Sequence, residues 1–323
     1  MSDAVVPHTE TTAPSARPAP AGWFRRAIDS DLFYSFRRSK LTMLAAAVTL
    51  LFFLLAIFAS VVAVQNPFDP AQLQLINSRI PPLWLTDGQA PFLLGTDEQG
   101  RDVLSAILYG LRISLIVGVL GVLFSGVLGI VLGLVAGYIG GAIDSLIMRI
   151  ADVQLTFPAI LIALLINGVV KSVFGDRLDA MSMLGVLVFA IGLSFWVQYA
   201  RTVRGSVMVE KNKDYVAAAQ LIGLPAPVIM LRHVLPNAMG PVLIIATINL
   251  ALAIITEATL SFLGSGMPDT MPSLGTLIRI GNNYLFSGEW WIVAFPGFAL
   301  AALVLSINLL GDWLRDALNP KLR

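Results

Sequence analysis

Residues 113–137 read ISLIVGVLGVLFSGVLGIVLGLVAG, a stretch of twenty-five residues without a single charged side chain. As a helix rising 1.5 Å per residue, such a run crosses the roughly 30 Å hydrocarbon core of a bilayer with length to spare. Lipid offers no partner to backbone amides and carbonyls, so a buried apolar run of this kind must satisfy them within itself, as a helix does. A central Asp, Lys or Arg would disfavour insertion by roughly 2.5–3.5 kcal/mol. Five further apolar runs of comparable length lie at 41–64, 153–170, 181–200, 238–261 and 290–311, and the only charge in any of them is Glu257 near the end of the fifth. The expectation is an all-α, polytopic membrane protein with six transmembrane helices. A transmembrane barrel would need short segments of alternating polarity, and none stand out.

Composition points the same way. Hydrophobic residues make up 57% of the chain and charged ones only 13%, against about 25% charged in an ordinary soluble domain. Cysteine is absent, which excludes disulfides and thiolate chemistry. The only histidines are His8 and His233, a poor basis for a metal site, so no metal is expected. A net charge of +1 gives no reason to expect nucleic acid as a partner. No HExxH, GxSxG or GxxxxGK[ST] pattern occurs, so the common hydrolase and metalloprotease signatures fail and the chain has no P-loop of its own. No catalytic residue is assigned. If ATP powers this protein, another polypeptide must bind it.

Charge distribution sets the expected topology. Placing 1–40, 138–152, 201–237 and 312–323 on the cytoplasmic side puts 15 of the 21 Lys and Arg residues there, leaving 6 for 65–112, 171–180 and 262–289. The positive-inside bias therefore predicts both termini in the cytoplasm. Residues 1–22 are rich in Ala, Pro and Thr and read as a disordered N-terminal tail. Residues 23–40, with aromatics among basic pairs, read either as an amphipathic helix at the membrane interface or as a basic stop before the first span. The membrane domain covers 41–311, with an outer loop at 65–112, a cytoplasmic loop at 201–237 and a short tail at 312–323. Within the second span Ser125, Gly129, Gly133 and Gly137 recur every four residues, a face that lets another helix approach closely. The pattern leaves open whether that helix belongs to this chain.

The loop before the fifth span reads DYVAAAQLIGLPAPVIMLRHVLPN from Asp214 to Asn237. It predicts a short helix capped by Asp214 and ended by Gly223, then a change of direction at Pro225 and Pro227, then a second short helix, with Pro236 introducing the fifth span. Tyr215, Ala218, Ala219 and Ile222 would share one small apolar face, suited to a groove on another protein or to the membrane surface. This segment resembles the EAA motif of ABC importer permeases, EAA-x3-G-x9-I-x-L-P, with Ala218, Ala219, Gly223, Leu235 and Pro236 in matching positions. Ala217 stands where the motif has Glu, and His233 where Ile is usual. The resemblance implies a coupling helix seated in a cytoplasmic ATPase subunit.

A second stretch, LLGTDEQGRDVLSAILYGLRISL at 93–115, is similar to the GTDxxGRDxxS…GxRxSL signature of the C-type permease subunits of dipeptide, oligopeptide and nickel importers. The residues carrying it are Gly95, Thr96, Asp97, Gly100, Arg101, Asp102, Ser105, Gly110, Arg112 and Ser114. Physically they predict a capped helix start on the outer face, held by internal ion pairs or touching substrate. AGYIGGAIDSLIMRIADV (136–153), SFLGSG (261–266) and GDWLRDALNPKLR (311–323) agree with the same family.

The resemblance implies a type I ABC importer fold in a bacterial-type inner membrane. It further implies a heterodimer with a homologous permease, two ATPase subunits carrying ATP and Mg, and an extracytoplasmic substrate-binding protein, all in a lipid setting. The implied cargo is a di- or oligopeptide, with nickel complexes and glutathione as alternatives. Ion-coupled secondary transport is the rival reading, ahead of a membrane-embedded enzyme or a scaffold. Glu257 is expected either to line the pathway or to fix helix packing. Asp144, Arg149 and Asp152 are expected to form a local cluster, with Arg149 reaching one or both acids.

Overall fold

A computed structural model describes residues 31–174 and 178–318, apart from the side chains of 31–34. The expected tail at 1–22 and the first part of the 23–40 segment lie outside the described residues. Helix α1 (Asp31–Arg38) belongs to an N-terminal unit that ends at Lys40. Its last turn carries Arg37 and Arg38, where cations favour the negative end of the helix dipole.

The membrane unit begins with α2 (Lys40–Ile57) and the single turn α3 (Ala59–Val62). After a long irregular loop come α4 (Val103–Ile139), α5 (Gly141–Leu155), α6 (Ala159–Phe174) and α7 (Ala180–Glu210). A hairpin follows, made of α8 (Asp214–Leu221), α9 (Ala226–Ile229) and α10 (Leu235–Ala238), and then α11 (Gly240–Phe262), α12 (Leu274–Asn282) and α13 (Trp291–Leu318). Among the described residues no strand forms.

Helix α4 and helix α7 form the centre. The four-residue stripe on α4 meets α7 of the same chain, which settles what the sequence left open. A Cβ built on Gly129 would fall 2.4 Å from Tyr199 Cβ, and one on Gly133 would fall 2.5 Å from the carbonyl of Ala200. The two backbones are therefore in direct contact. Helix α4 also packs on α11, α12 and α13 through Leu111, Leu115, Ile254, Leu274 and Leu303, all buried.

Among the described residues five helices are long and apolar enough to cross a membrane, and a sixth span arises only if α5 and α6 count as one. These two meet at a bend of 90°, so the run at 153–170 is broken rather than continuous. The cause is Pro158. Proline cannot donate the amide hydrogen bond and pushes the residue before it out of the helical region. Gln154 secures the elbow by donating to the Leu193 carbonyl and accepting from Trp196 Nε1 at 2.6 Å.

Several boundaries also move. Residues 103–112 are the first turns of α4, 201–210 the last turns of α7, and 312–318 continue α13. Helices thus run past the apolar core into polar sequence, where charge rather than propensity had suggested a loop.

Candidate functional site

The hairpin after α7 is built from its caps. Asp214 does not cap α8: Lys213 occupies the cap position with extended backbone, and Asp214 lies in the first turn, where its charge favours the positive end of the helix dipole. At the other end the expectation of a stop at Gly223 is met in detail. Gly223 adopts φ +77°, its amide donates to the Gln220 carbonyl at 3.0 Å, and the Leu224 amide donates to the Ala219 carbonyl at 3.2 Å. Those paired bonds are a Schellman ending, which favours glycine because its left-handed residue has no Cβ to strain.

Beyond Pro225 the chain is helical from Ala226 to Ala238, with one π turn at Met230–Val234. Pro236 therefore lies inside a helical stretch rather than at the start of a span. Widening the preceding turn accommodates the missing donor and the ring of Pro236. The span itself restarts at Gly240, with Pro241 in its first turn.

Burial divides the α8 face that the sequence grouped together. Ala219 turns inward with Val216 and packs among Val207, Ile229, Val234 and Ala238. Tyr215 and Ala218 lie on the exposed side, and Ile222 is 76% exposed. Leu221, which the sequence reading did not single out, is 88% exposed. Pro236 is exposed and Leu235 half-buried against the same cluster.

Tyr215 ties the hairpin to α7. Its hydroxyl donates to Glu210 Oε2 at 2.6 Å and accepts from Asn237 Nδ2 at 3.2 Å. Burial and the neighbouring Glu210 carboxylate push this hydroxyl above the ordinary tyrosine range, so it remains a donor. Lys213 also pairs with Glu210, at 2.7 Å, which raises its ammonium above the usual lysine range. The result is a hairpin anchored on one side, with a short apolar ridge of Leu221 and Ile222 presented to solvent.

The second predicted constellation folds as a rigid cap at the far end of α4, roughly 55 Å away for a helix of 37 residues. Arg101 is 1% exposed; its Nε donates to Asp97 Oδ2 at 2.7 Å, and its Nη1 to the Asp269 carbonyl at 3.1 Å. Asp97 Oδ1 accepts the amides of Gln99 and Arg101. Asp102 caps α4, taking the amide and hydroxyl of Ser105 at 2.7 and 2.6 Å. Burial raises its carboxyl above the ordinary range, partly offset by those bonds.

Thr96 accepts the Ile80 amide at 2.8 Å, while its carbonyl accepts from Trp291 Nε1 at 3.1 Å. Gly95 and Gly100 take positive φ and would clash with the backbone of Ile80 and Gln74 if substituted. Arg112 closes the end of α2, donating to the carbonyls of Ala56 and Ile57 at 2.8 and 3.0 Å. Gly95, Thr96, Asp97, Gly100, Arg101, Asp102 and Ser105 thus gather into one interlocked cap, whereas Arg112 lies further along α4 at the end of α2.

Residues 129–323 match the family described as binding-protein-dependent transport system inner membrane component. The chain belongs to this family. Residues 30–82 of the permease match the N-terminal TM domain of oligopeptide transport permease C. It is 39% identical over 275 residues to a di/tripeptide transport system permease protein of Pseudomonas aeruginosa, spanning 85% of this chain and 87% of that protein. It is 38% identical over 293 residues to the dipeptide transport system permease protein of Escherichia coli K12, spanning 91% and 93%. With the oligopeptide transport system permease protein OppC of Bacillus subtilis the identity is 34% over 294 residues, spanning 91% and 90%. Among solved structures it is similar in fold to a chain of the inward-facing MetNI methionine ABC transporter. That match has a TM-score of 0.51 and 17% identity, and covers 66% of this chain and 96% of that one.

The remaining candidate of the permease is Glu257, on α11. It is 0% exposed and accepts hydrogen bonds from Ser114 Oγ at 2.8 Å and Ser261 Oγ at 2.7 Å. Ser114 in turn accepts the Leu274 amide, and Ser261 the Met267 amide, both at 3.2 Å. This acid sits inside a serine cage that joins α4, α11 and the loop before α12.

The expected cluster at the start of α5 does not form as predicted. Asp144 and Asp152 pair with Arg204 and Arg201 of α7 instead of Arg149. The backbone break at Gly140 and Gly141, both at positive φ, lays α5 beside α7, and long-range arginines reach the acids first. Among the described residues no group of three or more His, Asp or Glu is placed to hold a metal ion.

Proposed function

We propose that this permease is one of two unlike membrane subunits of an ATP-driven, binding-protein-dependent importer, and that its cargo is a di- or oligopeptide. The observation that carries the coupling role is the anchored hairpin with its exposed Leu221–Ile222 ridge. Two large aliphatic side chains in water, on a helix fixed to α7 by Tyr215 and Glu210, are what a docking element requires. ATP and Mg belong on separate ATPase subunits, two of which would receive this hairpin and that of the partner permease. A substrate-binding protein would meet the opposite cap. The peptide class rests on the relatives, whose names specify dipeptides, di/tripeptides and oligopeptides.

The charge pattern supports the orientation. Segments assigned to the outside by their few cations meet one another at one end: Arg101 with Asp269, Lys171 with Gly264, and Arg79 with Glu289. Segments assigned to the cytoplasm meet at the other, through Asp144 with Arg204 and Asp152 with Arg201. The positive-inside bias supports a cytoplasmic hairpin and cytoplasmic termini.

Co-purification in detergent tests the proposal. Wild-type chain expressed with its partners should retain an ATPase subunit, and the double variant Leu221→Asp, Ile222→Asp should lose it while eluting at an unchanged size for the membrane portion. Peptide uptake by cells should stop when ATP is depleted and persist when the proton gradient alone is collapsed. Uptake that follows the proton gradient would favour an ion-coupled secondary transporter instead.

A further inference from the structure

A polar cavity of about 450 Å³ opens at the end of the bundle opposite the hairpin, between the last turn of α6, the start of α7 and the loop that follows α11. The loop is rigid. Gly264 ends α11 at φ +77°, with the Ser265 amide donating to the Leu260 carbonyl at 2.8 Å. Thr276 Oγ1 donates to the Met267 carbonyl at 3.2 Å. A Cβ on Gly266 would fall 1.9 Å from Ser261 Oγ, so this segment is pressed onto the serine cage of Glu257 and has little room to move.

Three charged side chains among the described residues line the cavity: Lys171, Arg279 and Asp269. Asp269 is held from two sides, its carboxylate by Arg279 Nη2 and its carbonyl by Arg101 Nη1. Lys171 has a different situation. Its ammonium donates to the Gly264 carbonyl at 3.0 Å, and among the described residues no carboxylate lies within salt-bridge distance of it. Arg279 Nε is buried and has no hydrogen-bond partner among the described residues.

Among the described residues, two cations therefore face one carboxylate, and the one hydrogen bond of the Lys171 ammonium goes to a backbone carbonyl. A cavity with two cations and one carboxylate on its wall has a net positive charge, which an entering anion would offset. Met183, Met267 and Pro268 supply apolar wall beside these charges. A polar anchor beside an adaptable apolar surface suits a small solute that carries a carboxylate and a variable side chain.

We propose that this cavity takes a carboxylate of the transported solute, held by Lys171 beside the Arg279–Asp269 pair, as the solute enters the permease from the outer face. The assignment rests on the peptide-import reading and adds to it a recognition site within the permease itself. For a dipeptide the group is the C-terminal carboxylate or an acidic side chain, and both offer the same chemistry.

The test uses the complete transporter in proteoliposomes, with its partner permease, ATPase subunits and binding protein. Uptake of Ala-Ala, its C-terminal amide and Ala-Glu is measured for wild type, Lys171→Met and Lys171→Arg. If the terminal carboxylate occupies the cavity, Lys171→Met raises the KM for Ala-Ala at least about tenfold, leaves the amide unchanged, and is largely rescued by Lys171→Arg. If an acidic side chain occupies it, Ala-Glu suffers and Ala-Ala does not. Equal loss for all three solutes, or no loss for any, overturns the proposal, since a structural lysine would not sort solutes by charge. A wild-type transporter that shows no ATP-dependent uptake of any peptide would remove the importer reading itself, a result distinct from a wild type that imports while Lys171→Met does not discriminate.

Discussion

Arg204 grips Asp144 with two nitrogens, Nε on Oδ1 and Nη2 on Oδ2, the second at 2.6 Å. Sixty positions separate these residues, and the pair fixes α5 against the part of α7 that leads into the α8–α10 hairpin. Parallel N–H···O bonds of this kind fix geometry as well as energy. The Asp144 and Arg204 side chains are 17% and 32% exposed, so water screens the pair in part and its contribution is about 1 kcal/mol. Asp144→Asn should lower the melting temperature in detergent by a few degrees. The exchanged pair Asp144→Arg, Arg204→Asp should recover part of the loss. An unchanged melting temperature in Asp144→Asn would mean that the pair contributes nothing to the fold.

The glycine stripe on α4 makes a prediction of opposite signs. Gly129→Ala would drive a Cβ to 2.5 Å from the Trp196 carbonyl, and overpacking of this kind is destabilising by about 1–3 kcal/mol. Gly185, on α7, has no heavy atom within 4 Å of a built Cβ. Gly185→Ala should therefore be neutral or stabilising by up to about 1 kcal/mol, because alanine loses less backbone freedom in a helix. Thermal unfolding of the two variants beside wild type measures the contrast. A Gly129→Ala protein as stable as wild type would show that α4 and α7 can separate at no cost.

The apolar runs were legible because lipid imposes length and an absence of charge, and the stripe at Ser125, Gly129, Gly133 and Gly137 announced a close helix contact without naming its partner. Pro158 was visible too, but an uninterrupted apolar run hid the elbow it creates. Ion pairs were misassigned where local spacing competed with tertiary geometry. Arg149 was near Asp144 and Asp152 in sequence, whereas Arg204 and Arg201 reach them in space. The division of α8 into a buried Val216–Ala219 side and an exposed Leu221–Ile222 side was not legible, because an apolar residue reserved for a partner has the same composition as one reserved for the core. Lys171, Arg279 and Asp269 come from segments more than a hundred residues apart at the extremes, and only the fold brings them to one cavity.

Asp102 carries a pH dependence. Burial lifts its folded-state carboxyl above the ordinary value, so its contribution to stability is complete below the unfolded-state pKa and is lost as pH rises through the folded one. Asp102→Asn keeps an oxygen for the Ser105 amide and removes the buried charge. The difference in melting temperature, Asn variant minus wild type, should therefore increase as the pH is raised from about 4 to 8. A difference that falls over this range would mean that the hydrogen bonds from Ser105 outweigh burial and hold the carboxylate charged.

Gly223 joins the backbone argument to the function. Its left-handed conformation ends α8, and nothing lies within 4 Å of a built Cβ, so substitution acts through backbone strain rather than collision. Gly223→Ala should destabilise the hairpin by about 1–2 kcal/mol, and Gly223→Asn by less, since asparagine tolerates the left-handed region better. Hydrogen exchange reads this locally: the Leu224 amide, bonded to the Ala219 carbonyl, should exchange roughly tenfold faster or more in Gly223→Ala. The buried Val216 side anchors α8 independently of Gly223, so the bundle itself should melt close to wild type. ATPase stimulation by loaded binding protein should fall in the order wild type, Asn, Ala if an intact helix end is what the ATPase engages. Equal stimulation in all three, alongside faster exchange at Leu224, would separate the ending of α8 from coupling and leave the Leu221–Ile222 ridge to carry it alone.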